Sequence, residues 1–162
     1  MTQPSPRYLR YAIMIADRAR QHGNSPFGAV LVSDRGRILV EGENTQVAMS
    51  DCTGHAETNL LREASRCYPR RLLSRCTLYV NAEPCAMCAG AIFWSGVGRV
   101  VFGLGSERLS ALTKESEDCL LQHCAEVLAR GTHPVEVFGP MIEEEAEEVF
   151  KKPLQPGQAI NH

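Results

Sequence analysis

His55-Ala56-Glu57 and, 28 residues after the glutamate, Cys85-Ala86-Met87-Cys88 place an imidazole, a carboxylate and two thiols where they could share one ion. Cysteines at i and i+3 of a helix project from one face, so both sulfurs reach the same point. Pro84 suits the start of that helix, and in a first turn the dipole and unpaired backbone N–H groups favour thiolate, the form that binds metal. One imidazole and two thiolates suit zinc. Three protein ligands also leave a tetrahedral position for water, as in a catalytic site. Glu57 is too close to His55 along a helix to share its face, yet its longer side chain reaches toward that water and could move its protons. Two plainer readings compete: Cys85 and Cys88 as small buried hydrophobes, or a structural zinc site closed by a further ligand, in which case Glu57 has no task.

The elements that must position these groups follow from pattern. Leu9, Ile13, Ala16 and Ala19 recur at helical spacing over 8–21, and Gly23 supplies a stop. Runs at 27–32 and 37–40 flank Ser33-Asp34-Arg35-Gly36 as a hairpin, and 42–51 reads as loop. Ala56, Leu60, Leu61 and Ala64 mark a helical face over 53–66, ended by Tyr68-Pro69. A buried strand at 77–80, a small apolar helix over 85–94 and a strand at 97–102 come next. A helix near 115–130, a strand at 134–138 and a helix from about Ile142 complete the pattern. Alternating strands and helices predict an α/β sandwich on one mixed sheet. Residues 1–152 read as one catalytic domain, and 153–162, with two prolines and a glycine, as a loose tail.

With 162 residues, 44% hydrophobic and 22% charged, the chain can bury a core. No run approaches a membrane span, and the first ten residues lack signal-peptide character, which predicts a soluble cytoplasmic protein with no membrane partner. Seven cysteines, an odd number without the spacing of a secreted domain, point to metal binding and packing before disulfides. Cys52, Cys67, Cys76, Cys119 and Cys124 read as free thiols. Cys119, His123 and Cys124 fall short of the four ligands that a closed second zinc site needs. A formal charge of -2 supplies no global field for a polyanion. Arg62, Arg66, Arg70, Arg71 and Arg75 read as a solvated face, with nucleic-acid contact as the alternative. The acidic run Glu143-Glu144-Glu145-Ala146-Glu147-Glu148 reads as a helix first turn that would repel phosphate.

His-x-Glu followed by Pro-Cys-x-x-Cys is the signature of zinc deaminases. His55-Ala56-Glu57 with Glu83-Pro84-Cys85-Ala86-Met87-Cys88-Ala89-Gly90-Ala91-Ile92 resembles the cytidine deaminase superfamily, in its branch of guanine, cytosine and tRNA-adenosine deaminases. The resemblance spans roughly residues 8–103. It implies a three-layer α/β/α sandwich on a mixed five-stranded sheet, one Zn2+ per subunit, and a homodimer or larger assembly. It also implies hydrolytic deamination, with Glu57 taking a proton from water and returning it to a ring nitrogen and to the departing ammonia.

Further matches bear on the substrate. Asn44, eleven residues before His55, resembles the family asparagine that hydrogen-bonds the substrate, or is an ordinary loop asparagine. Ser25-Pro26-Phe27-Gly28-Ala29-Val30 resembles a guanine deaminase segment in which the phenylalanine stacks on the base; core packing is the alternative for Phe27. Ile92-Phe93-Trp94 resembles small-base enzymes, and Trp94 could wall a pocket or pack in the core. Asn44, Phe27, Ala56 and Trp94 are thus the candidate substrate contacts. Guanine is the first substrate expected. Cytosine or cytidine, a tRNA adenosine and a non-catalytic zinc-stabilised module are the alternatives, and no nucleic acid is the expected partner. Residues 103–110 depart from guanine enzymes, which leaves Glu107, Glu115 or Asp118 as acceptors for the substrate edge.

Overall fold

A computed structural model describes residues 3–113, 120–156 and 160. The chain opens with α1 (Pro6–Gln21), which has Pro6 at its first position and Arg18 and Arg20 in its last turn, at the negative end of the dipole. β1 (Gly28–Val32) and β2 (Ile38–Glu43) form the expected hairpin, followed by the short α2 (Gln46–Met49) inside the predicted loop. Next come α3 (Ala56–Cys67), the short α4 (Arg70–Leu73), β3 (Thr77–Ala82) and α5 (Ala86–Ser95). β4 (Arg99–Leu104), α6 (Ser106–Leu112), α7 (Cys124–Leu128), β5 (Glu136–Phe138) and α8 (Glu143–Lys151) complete the order.

The five strands form one sheet in the order β2-β1-β3-β4-β5. β1 is antiparallel to β2 and β3, whereas β3, β4 and β5 run parallel, so the sheet is mixed as expected. Strand period two divides the side chains between two helical layers. Val30, Tyr79 and Val101 stand in one cross-strand row and pack with Leu9, Ala12 and Ile15 of α1. The next row, Leu31, Leu78 and Val100, packs in the larger cluster with Leu60 and Leu61 of α3 and Ala89 and Ile92 of α5. α8 lies against α1 and β4. Helices therefore cover both faces.

The predicted helix near 115–130 is shortened among the described residues to α7, and α6 appears where no helix was expected. Both begin where a distant carboxylate accepts their first N–H groups. Glu83 accepts from Ser106 and Cys124, and Glu143 accepts from Gly105. Local patterning does not contain such caps. The segment read as a loose tail is held at its start: Arg20 donates to the Pro153 carbonyl, Gln155 donates to the Gln21 carbonyl, and Ile160 packs on the main core. Among the described residues, no helix is long and apolar enough to cross a membrane.

Candidate metal centre and active site

His55 and Cys85 each occupy the residue that caps a helix, α3 and α5 respectively, and these two helices pack against each other. His55 Nδ1 lies 3.6 Å from Cys85 Sγ and 3.5 Å from Cys88 Sγ. All three residues are buried, and their ligand atoms lie within 4.8 Å of one another. Tetrahedral zinc, with bonds of about 2.0–2.1 Å to nitrogen and about 2.3 Å to sulfur, sets a nitrogen–sulfur separation of about 3.6 Å. The donor set and its spacing thus fit zinc. Among the described residues, no other group of three His, Cys, Asp or Glu side chains converges in this way.

The protonation pattern belongs to a metal-binding cluster. Cys85 is held down at about 3 by the hydrogen bond from the Cys88 thiol, against its own burial, with help from His55. Cys88 donates that bond and is fully buried, so it is pushed well above the usual thiol range. The pair therefore holds one thiolate and one thiol until a metal displaces the remaining proton. Burial works against a charged His55, but its hydrogen bond to Cys85 and the nearby Glu57 carboxylate leave it raised overall.

Glu57 is the second residue of α3 and is itself buried. Desolvation lifts its carboxyl from 4.5 to about 7, with the Cys85 thiolate adding to the shift, and its side chain reaches hydrogen-bonding distance of Cys88. A carboxyl that titrates near neutrality beside a metal cluster can both take and return a proton.

The other candidates divide. Ala56 opens α3 and is fully buried, in the first turn, where backbone N–H groups have no acceptor within the helix. Asn44 is fully buried at the end of β2, its amide paired with Gln46 and its backbone N–H donating to the Phe27 carbonyl. Phe27 is 5% exposed and meets the Phe150 ring edge-on at 5.3 Å, so the surroundings described for it are core. Trp94 does not join the site. It is 77% exposed and stands nine residues past Cys85, about 13 Å along a helix rising 1.5 Å per residue. Of the three acids offered for the substrate edge, Glu107 points to solvent with 89% of its side chain exposed, and Glu115 and Asp118 lie outside the described residues. Cys119, the third partner of the rejected second metal site, also lies outside them.

Three supporting residues were missed. Asn81, fully buried in β3, accepts from the Gly28 N–H and donates to the Pro26 carbonyl, anchoring the segment before β1. Asn59 of α3 donates to the Glu43 carbonyl and to Thr45, tying the Asn44 loop to the His55 helix. Glu83 is buried between β3 and Pro84 and accepts from Ser106 and Cys124. The signal available for Asn81 and Glu83 was a polar residue inside or abutting a strand that otherwise reads as fully buried.

Comparison with known proteins agrees with this geometry. Residues 2–104 match the family model for the cytidine and deoxycytidylate deaminase zinc-binding region. A probable cytosine deaminase of Schizosaccharomyces pombe is 44% identical over 141 residues, covering 86% of this chain and 85% of that protein. A tRNA-specific adenosine deaminase of Haemophilus influenzae is 40% identical over 124 residues, covering 75% and 72%. The solved structure of a guanine deaminase from Nitrosomonas europaea superposes with a TM-score of 0.74 at 24% identity over 93% of this chain and 85% of that one, a likeness of fold.

Proposed function

This chain belongs to the cytidine and deoxycytidylate deaminase family, and from that premise we propose that it deaminates a free nucleobase in the cytoplasm, with cytosine the first substrate to test. It is a zinc hydrolase acting on the C–N bond of an aminated heterocycle. The observation that carries the proposed roles is the buried Glu57 carboxyl, not one of the three metal donors, set against the His55, Cys85 and Cys88 cluster. Zinc, when held by those three residues, supplies the Lewis acidity that makes water a nucleophile at neutral pH.

Glu57 takes one proton from that water as its oxygen adds to the ring carbon bearing the amine. The same carboxyl delivers the proton to the adjacent ring nitrogen, then carries a second proton from the added oxygen to the departing nitrogen. Water and the aminated ring thus give the keto ring and ammonia. Asn44 and the Ala56 backbone contact the ring, and Phe27, which packs on Phe150 and accepts from the Asn44 N–H, holds Asn44 in place. Cytosine precedes guanine because a relative 44% identical over 86% of this chain is named for it.

Ammonia release from cytosine, guanine, adenine and their nucleosides tests the substrate. Cytosine turnover is expected, falling by about 10³-fold or more in Glu57→Ala with zinc retained. Silence across the panel overturns the free-base reading. Inosine formed only in a treated tRNA would assign the chain to the activity of its Haemophilus relative.

The partner we propose is a second copy of the chain. α5 carries no charged residue, and Met87, Gly90, Ala91 and Trp94 recur along its outer side at helical spacing. Met87 and Trp94 are exposed there, and Gly90 faces open space. A helix apolar on all sides is ordinarily buried on all sides, and a copy of the same face would cover this one.

A further inference from the structure

We infer that Glu83 is a positioning residue that fastens both described pieces of the wall beside the metal cluster, residues 106–113 and 120–122, and so sets substrate binding. The inference rests on the free-base reading above. A cavity of about 20 Å³ next to Cys85 is lined by Ser106, Leu109, Ser110 and Thr113 of the first piece and by Leu120, Leu121 and Gln122 of the second. The space takes no more than about one water, so these apolar and neutral polar groups meet the edge of a ring seated beside Cys85 and do not enclose it. Neither piece pairs as a strand; Leu109 and the Glu143 contacts to Gly105 and Arg108 hold α6 on its α8 side, which leaves the start of α6 and the 120–122 piece to be tied together.

Glu83 does so with one carboxylate. Oε2 accepts the Ser106 backbone N–H at 3.0 Å and its hydroxyl at 2.7 Å, where α6 begins. Oε1 accepts the Cys124 backbone N–H at 3.1 Å, where α7 begins just after the second piece, and His123 Nδ1 stands 3.3 Å away. The Glu83 backbone N–H donates to the Leu104 carbonyl at 2.8 Å, fixing the residue to the end of β4. Both ends of the wall therefore converge on a buried group placed two residues before Cys85. An ionised carboxylate is acceptor-only and satisfies all of these donors; an amide would turn an NH2 toward one of them.

The substrate meets this wall in the ground state and the transition state alike, so loosening it removes uniform binding. Glu83→Gln should raise KM for cytosine by about tenfold or more, leave kcat within about threefold and retain one zinc per chain. Backbone hydrogen exchange should quicken in 106–113 and 120–122 and stay unchanged in β1 and β3. Should Glu83→Gln fail to fold, Ser106→Ala removes one of the bonds from the far side; its KM should rise in the same direction by about threefold, with faster exchange in 106–113. Unchanged KM and exchange in the folded variants overturn the inference. So does a collapse of kcat or loss of zinc at constant KM, which would mean that Glu83 acts on Cys85 and not on the wall. If the wild-type protein turns over no base, the free-base reading fails, while the exchange measurement still tests Glu83 by itself.

Discussion

The Glu57 carboxyl is buried beside Cys85 and Cys88, and desolvation lifts it from 4.5 to about 7. In the zinc-free chain the folded state keeps this proton between those two values, whereas the unfolded state has released it. Stability therefore falls as pH rises through that window, because the folded state binds more protons there. Glu57→Gln removes the charge, so zinc-free Glu57→Gln should be more stable than zinc-free wild type near pH 8, by up to about 3 kcal/mol. Near pH 4 the two should unfold alike. Urea unfolding of both proteins at the two pH values checks this, and equal midpoints near pH 8 would contradict it. His55, Glu57, Cys85 and Cys88 were legible in the sequence because each pair is set by spacing within one helix start. Asn59 was not, and Glu83 showed only as a polar residue abutting a buried strand, because their partners lie on other elements.

At the scale of elements, close approach decides where side chains are forbidden. A Cβ added to Gly28 would lie 2.4 Å from the Ala12 carbonyl oxygen and from the Ala16 nitrogen, both backbone atoms of α1. Gly28→Ala should therefore lift α1 from β1 and cost about 1–3 kcal/mol in chemical unfolding. Gly90 meets nothing within 4 Å inside its own chain, and alanine suits a helix interior better than glycine. Gly90→Ala should be neutral or stabilising by about 0.5–1 kcal/mol at protein concentrations low enough to keep the chain monomeric. α1 and α3 were visible by helical period, and the first strands and α5 as short apolar runs. The start of α7 was not, since Glu83 caps it from 41 residues away. The acidic run that opens α8 is largely spent within the fold: Glu145 pairs with Arg10, Glu143 with Arg108 and Gly105, and Glu147 with Arg108 and Lys151.

For the whole molecule, zinc joins α3 to α5 and binds only where the fold has assembled its three donors. Chelation should lower the thermal midpoint, with a loss of about 4 kcal/mol where free zinc had stood a thousandfold above its Kd. Calorimetry with and without chelator measures it. Trp94→Arg places a charge on the apolar face of α5 and should shift sedimentation from dimer to monomer while leaving zinc content unchanged; a wild type that sediments as a monomer would remove the dimer reading. The sequence by itself pointed to the three candidate metal donors, the proposed proton carrier and the α/β layering, because these depend on residue type at short spacing and on helix or strand pattern. Only the tertiary structure decided that Trp94 stands apart from the site, that Phe27 rests on Phe150, and that Glu83 fastens the wall. The last two rest on contacts between residues 23 to 123 positions apart, which no local pattern records.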